Sequence, residues 1–375
     1  MKWMRLILTL LAATLLFAGC GERFRYVVNG QFSGGHFDGS TVYLTTLDDG
    51  ILKDSAVVKD GTFRMRGFLP HPMMGELRMG NQSNSLSAEI VLERGKVAVD
   101  MWTLRRSGTP KNERLQAYLA DKSTEQLTQS IDSLLNHTET AGSDEELASL
   151  QHQYDQCYRR YIDHIAALSK RLYLENTTNT LGAYALTRIA EIGAIEYDSL
   201  DNLLRHSSPA VANYLPLRMA RAQMFYLIKT SPGHRYVDVS GVNFASALGR
   251  AVRLSSFVKK GELTLVDFWS SGCMPCRQEI ADNLIRIHED YKDKGVNVVG
   301  IDVWDDDERL RLAINQLGIT YPQIVDKSGD AAKVYSITGV PTILLIGRDG
   351  TILARDLRGE EIEAAIVEAL NATDE

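Results

Sequence analysis

"VDFWSSGCMPC", residues 266–276, packs Cys273 and Cys276, two of the chain's four cysteines, into four residues at the end of an apolar run. Such a pair serves as half of a zinc site, as a structural crosslink, or as a redox couple. Zinc needs two further ligands, usually a second Cys or His pair at short spacing. Cys20 closes a stretch that reads as an export signal with a lipidation site, Cys157 lies in a helical stretch and His288 has no local partner, so zinc is not expected. A structural disulfide across so short a loop gains little from loop closure. The redox reading has a mechanism. A cysteine between a buried strand and a helix meets the positive end of the helix dipole, which favours thiolate and makes Cys273 the nucleophile. Cys276 lies one turn further in, on the stripe of Ile280, Leu284, Ile287 and Tyr291, so its sulfur faces inward. An exposed attacker backed by a shielded resolver is what exchange through a mixed disulfide requires. Pro275 suits an early helix position, where no intrahelical bond is lost.

Outward from this pair the text reads as α/β. "LTLVDFW" predicts a buried strand, and residues 274–295 a helix stopped by Gly295. "VNVVGIDVW", "YPQIVD", "TILLIG" and "TILAR" predict further strands; helices are expected at 306–318, near 331–335 and from Glu360. Strands alternating with helices imply a parallel-containing sheet covered on both faces. The acidic run "DVWDDDERL" (302–310) lacks the oxygen-ligand spacing of an EF-hand and reads as the opening of a helix. No metal site is expected.

The signature VDFWxxxCxPC resembles the active site of the thioredoxin fold, in the TlpA- and ResA-like thiol-disulfide oxidoreductases that face the periplasm from a membrane. The resemblance covers residues from about 235 onward. It implies that Cys273 attacks and Cys276 resolves, with no cofactor beyond their disulfide. It matches Asp267 to a buried acid that exchanges a proton with the resolving thiol; burial should raise its pKa. Glu279 matches an acidic position near the thiols. "GVPT" (339–342) matches a cis-proline loop, so Val340 and Pro341, with Trp269, are expected to meet substrate. Two departures stand out. Gly272 replaces a tryptophan common before the first cysteine, and Ile280-Ala281 stand where Met or Phe followed by proline is usual.

The rest of the 375 residues imply further domains. Lys2, Arg5, an apolar run and "FAGC" at 17–20 form an export signal that resembles a lipobox, with Phe17 where leucine is commonest. The run is shorter than the ~20 residues that span a bilayer. The expected organisation is a signal peptide at 1–19, a β-rich domain at 20–104, a helical domain at 105–232 and a thioredoxin-like domain at 233–375. Cys20 would be lipidated, holding the protein to a membrane and facing the periplasm of a Gram-negative-type envelope. The β-region resembles an uncharacterised module fused ahead of such domains. Its Asp60-Gly61 predicts a type I′ hairpin, and its His36 and His71 lack ligand spacing. In the helical region Leu147, Leu150, Tyr154, Cys157, Tyr161, Leu168 and Leu172 form one apolar seam, so Cys157 reads as a buried thiol. "TSPGH" (230–234) reads as a linker. The charge, 41 basic against 48 acidic residues with signs interspersed, gives −7 and excludes the basic stripe that nucleic acid requires.

These readings converge on an anchored oxidoreductase that reduces or isomerises disulfides of envelope proteins, drawing electrons from a membrane or periplasmic thiol donor. Two rivals remain: a scaffold lipoprotein using the thioredoxin module as a clamp, and a thiol peroxidase. The peroxidase frame needs proline seven residues before the cysteine, where Val266 stands.

Overall fold

Alternation of buried and exposed residues along the first eight strands builds a two-sheet N-terminal unit. The computed structural model describes residues 23–372 apart from 35–36, 81–85, 139 and 246–248, so the leader, Cys20 and His36 lie outside the described residues. The chain divides into two units, Met1–Arg221 and Ala222–Glu375. In the first, strands β1 (Phe24–Gln31), β2 (Thr41–Thr46), β3 (Leu52–Val57), β4 (Thr62–Leu69), β5 (Met73–Met79), β6 (Ser87–Leu92), β7 (Gly95–Asp100) and β8 (Arg105–Ser107) form two sheets, ordered β4-β1-β7-β8 and β3-β2-β5-β6. Val28, Val42, Leu44, Met65, Leu77, Ile90 and Val97 pack between them as one core. Asp60 and Gly61 both have positive φ, 52° and 66°, as a type I′ turn requires. The arms of this hairpin part after the Lys59–Thr62 bridge and join different sheets.

Helices α1 (Pro110–Leu119), α2 (Lys122–Thr138), α3 (Asp144–Leu174), α4 (Thr180–Glu191), α5 (Tyr197–Arg205), α6 (Pro209–Ala212) and α7 (Leu215–Lys229) follow. Of the expected seam on α3, Cys157, Leu168 and Leu172 are buried, as is Ile165, whereas Leu147 is exposed. The reason is the partner. α2 packs along α3 but, among the described residues, carries no buried residue of its own.

The second unit is a seven-stranded sheet ordered β10-β9-β13-β12-β11-β14-β15. Its elements are β9 (Ser240–Asn243), β10 (Ala251–Arg253), β11 (Leu263–Trp269), α8 (Met274–Glu279), a π-turn (Ile280–Leu284), α9 (Ile285–Tyr291), β12 (Val296–Asp302), α10 (Asp307–Leu317), β13 (Gln323–Val325), α11 (Asp330–Val334), β14 (Thr342–Ile346), β15 (Ile352–Arg355) and α12 (Glu360–Asn371). β11, β12 and β13 run parallel; β14 is antiparallel to β11 and to β15. Every residue of β11 is buried, because its odd positions face the α8–α10 and α12 side while Val266 and Phe268 face a second cluster with Tyr335. This thioredoxin-like sheet matches the expected class.

Two expectations need correction. Residues 230–234 are no free linker: Thr230 is fully buried and its carbonyl and hydroxyl oxygens accept from Arg355 Nη1, while Gly233 N–H donates to the Ile352 carbonyl. The long helix from Met274 is also not uniform. Its middle turn, 280–284, is π-helical, and it ends in a 3-10 turn at Gly295, whose φ of 81° stops it.

Candidate active site

β11 delivers its chain to the carboxyl edge of the parallel strands, the usual place for a site in such sheets. The chain then turns through Ser270, Ser271 and Gly272, and Cys273 N–H donates to the Ser270 carbonyl. Cys273 is the N-cap of α8 and is half-buried; Cys276 is fully buried. The two sulfurs are joined in a disulfide with a Cα–Cα distance of 5.3 Å. Cys276 N–H points at Cys273 Sγ at 3.1 Å, so an amide of the first helical turn serves the outer sulfur. The Val340 carbonyl lies 3.4 Å from the same sulfur, and the Val340–Pro341 bond is cis.

Asp267 stands at an odd position of β11 and therefore shares a sheet face with Cys276. Its carboxyl is 1% exposed and neither oxygen has a hydrogen-bond partner among the described residues. Burial, together with the charge of Glu279, pushes its pKa up to about 8, against a downward pull from Arg358. Both of these neighbours belong to one bracing set. Glu279 accepts from Gly359 N–H at 3.2 Å and from Asn283 Nδ2 at 2.6 Å. Arg358 donates to the carbonyls of Pro341 and Leu357. The Arg358-Gly359 turn thus ties the cis-proline loop to the helix carrying Cys276.

Trp269 corrects the expectation of a substrate-facing ring. Its side chain is fully buried and its indole N–H donates to Gln323 Oε1 at 2.9 Å. Being an odd-numbered residue of a fully covered strand, it can only face the core. Gln323 reaches it across Gly300, where an added Cβ would sit 2.1 Å from the amide oxygen.

Sequence reading missed the neighbouring acids. Within 302–310, Asp306 caps the expected helix, accepting from Glu308 and Arg309 N–H, and Asp307 and Glu308 stand in its first turn. Asp305 instead turns toward the cysteine loop, accepting from Ser271 N–H, from Ser271 Oγ at 2.8 Å and from Ser270 Oγ at 3.1 Å. Asp302, opposite Trp269 in register and 1% exposed, shares a hydrogen bond with Asp305. Burial and the adjoining Asp305 carboxylate hold Asp302 protonated at neutral pH, while Asp305 stays ionised. Between them Trp304 projects into solvent, 59% exposed, with φ of 91°. A bulky side chain at positive φ is strained, and such strain gathers at functional loops. Gly272, by contrast, has open space around a hypothetical Cβ and needs no special φ.

The comparisons agree with this geometry. Residues 233–355 match the AhpC/TSA family, and residues 26–115 match a domain of unknown function, DUF4369. The thiol-disulfide oxidoreductase ResA of Bacillus thuringiensis subsp. konkukian is 29% identical over 122 residues, 32% of this chain and 68% of that protein. The C-terminal domain is thus similar to thioredoxin-like thiol-disulfide oxidoreductases. It is also 38% identical over 95 residues to the thiol:disulfide interchange protein CycY of Rhizobium leguminosarum bv. viciae, covering 25% of this chain and 49% of that protein. Among solved structures, the thioredoxin domain of a thiol-disulfide oxidoreductase from Bacteroides vulgatus is 30% identical, with 38% of this chain and 99% of that chain covered and a TM-score of 0.34. All three matches fall on part of this chain. Within the oxidoreductase domain no group of three or more His, Cys, Asp or Glu is placed to hold a metal among the described residues.

Proposed function

We propose that Cys273 and Cys276 are the exchanging pair of a membrane-anchored oxidoreductase that reduces or isomerises disulfides in other envelope proteins. The observation that carries this reading is the Cys276 N–H aimed at Cys273 Sγ, 3.1 Å away. It stabilises negative charge on that sulfur both when Cys273 attacks and when it leaves. In the forward direction the Cys273 thiolate attacks a substrate disulfide, forming a mixed disulfide and releasing one substrate thiolate. Cys276 then loses its proton and attacks Cys273 Sγ. The second substrate thiolate leaves, and the two electrons lost by the pair reduce the substrate. A carboxyl titrating near 8, such as Asp267, can take that proton near neutral pH and return it when a thiol donor re-reduces the pair.

Substrate meets the half-buried Cys273 along the Val340 carbonyl, beside a recess of about 380 Å³ whose wall includes Gly339, Pro341 and Arg358. The lipobox-like "FAGC" supports attachment through Cys20, and no helix among the described residues is long and apolar enough to cross a membrane. The compartment in this reading is the periplasmic face of a Gram-negative-type envelope. The test is dithiothreitol-dependent insulin reduction. Wild type should be active and Cys273→Ser reduced to background; equal rates would refute the assignment. Because a thiol peroxidase is the rival reading on this fold, hydrogen peroxide is the second substrate. Turnover of peroxide faster than insulin would reassign Cys273 as a peroxidatic cysteine.

A further inference from the structure

The outer face of sheet β4-β1-β7-β8 carries charge that contradicts the chain's net −7. Register places Arg66, Val27 and Lys96 in one row, Arg64, Asn29 and Ala98 in the next, and Phe68 beside Arg25. Arg25, Arg64, Arg66 and Lys96 are exposed and, among the described residues, none has an ion-pair partner. Arg23 and Arg94, also exposed and unpaired there, stand just before β1 and β7, which are parallel, so both mark the same end of the sheet. Phe68, 64% exposed, lies at that end as well. The acid on these strands, Asp100, sits at the opposite end and already accepts from Gln31 Nε2 and from the amides of Ser33, Trp102 and Thr103.

We propose that this face lies against an anionic phospholipid surface, with Arg25, Arg64, Arg66 and Lys96 on headgroups and Phe68 at the interface. An exposed aromatic among unpaired cations is the composition of an interfacial membrane contact. The occupant follows from the covalent chain. Only Gly21, Glu22 and Arg23 separate Cys20 from the start of β1, a tether of at most about 15 Å when extended. The argument rests on lipidation of Cys20: acyl chains there bring the cationic end of this sheet to the headgroups and leave little choice of which side faces them. The sheet therefore acts as a second, electrostatic attachment that fixes how the N-terminal unit stands on the membrane.

The test uses the unacylated chain from Gly21 to Glu375, so that failure of lipidation and failure of this surface are read separately. It is sedimented with phosphatidylcholine vesicles, with and without phosphatidylglycerol, at low and physiological salt. Binding should need phosphatidylglycerol and weaken with salt. Each cation near an anionic surface contributes about fivefold in affinity. Arg64→Glu, Arg66→Glu and Lys96→Glu together should therefore cost at least about a hundredfold, while the exposed Lys122→Glu and Lys170→Glu pair on α2 and α3 costs little. Should the triple reversal not fold by circular dichroism, the glutamine triple with a salt titration takes its place. Equal binding to neutral and anionic vesicles, no binding to either, or unchanged binding after neutralisation overturns the proposal. A face that serves an acidic protein instead gives one of these results.

Discussion

Two aspartates, the half-buried Asp48 and the fully buried Asp267, one in each unit, show how the same residue is put to different ends. Asp48, in the N-terminal unit, accepts from Met74 N–H and Thr180 Oγ1, and these bonds hold its pKa to about 6 against the upward push of burial. Asp267 accepts nothing and is raised to about 8. The first ties a strand to a helix; the second is left able to take up and give back a proton near neutral pH. The contrast extends further. Asn112, fully buried in the N-terminal unit, bonds Val91 N–H, the Val91 carbonyl and Thr109 Oγ1, and Tyr184 Oη donates to Glu89. Polar groups in that unit are mostly spent on joining layers, whereas the oxidoreductase domain keeps acids beneath its disulfide whose protons can move.

Substitution of Asp267 tests the contrast most severely. Asp267→Asn should slow resolution of the mixed disulfide about a hundredfold near neutral pH, read by quenched-flow trapping of the intermediate; Asp48→Asn should leave that step untouched. The same variants separate by stability. Each acid has a folded pKa above its unfolded value, so each binds more protons folded than unfolded. The stability it contributes is therefore present below about pH 4 and is lost as pH rises through the folded pKa. For Asp267 that window runs to about pH 8 and for Asp48 only to about pH 6. Within each window the slope is roughly 1.4 kcal/mol per pH unit. Denaturant titrations from pH 4 to 9 should show a shallower slope between pH 6 and 8 in Asp267→Asn but not in Asp48→Asn, the slope that remains there belonging to Asp302, whose folded pKa is about 9. A wild-type curve flat between pH 6 and 8 would remove the distinction.

Asp305→Ala should have an intermediate effect. It strips the acceptor from Ser270 and Ser271, freeing the turn before Cys273, at a cost of about 1–3 kcal/mol and about tenfold in exchange rate. Asp305→Asn, which keeps one acceptor, should recover part of that rate; no difference between the two would mean the grip is incidental. Trp304→Ala should do least, raising KM for insulin a few-fold while sparing a small aromatic disulfide. Gly272→Trp in that background should restore KM if either position can supply the apolar cover beside Cys273.

The strands and helices around the cysteines were legible because their signals are local. Buried β-formers precede the pair, glycines at 295 and 318 end helices with positive φ, and Asp60-Gly61 sets a hairpin. What stayed hidden depends on contacts across the fold. β9 and β10 are four and three residues long and show no period. The grip of Asp305 on two serines comes from 34 and 35 residues away, and Arg358 reaches Pro341 across 17. Trp269 was misassigned for a related reason. Its place in the motif says that it is near the cysteines, but only the pleat of a strand covered on both faces decides which way the ring turns.

Thr230 gives the oxidoreductase domain an edge that sequence similarity does not mark. The AhpC/TSA match begins at residue 233, yet Arg355 in β15 spends one nitrogen on Thr230 and another on the Tyr335 carbonyl. A fragment cut at that similarity boundary would keep both cysteines and their braces while leaving a largely covered guanidinium short of its acceptors. Excision inside α7, from Ala222, keeps them together. The natural seam for grafting this domain onto another carrier therefore runs through a helix, not through the proline-glycine turn that follows it.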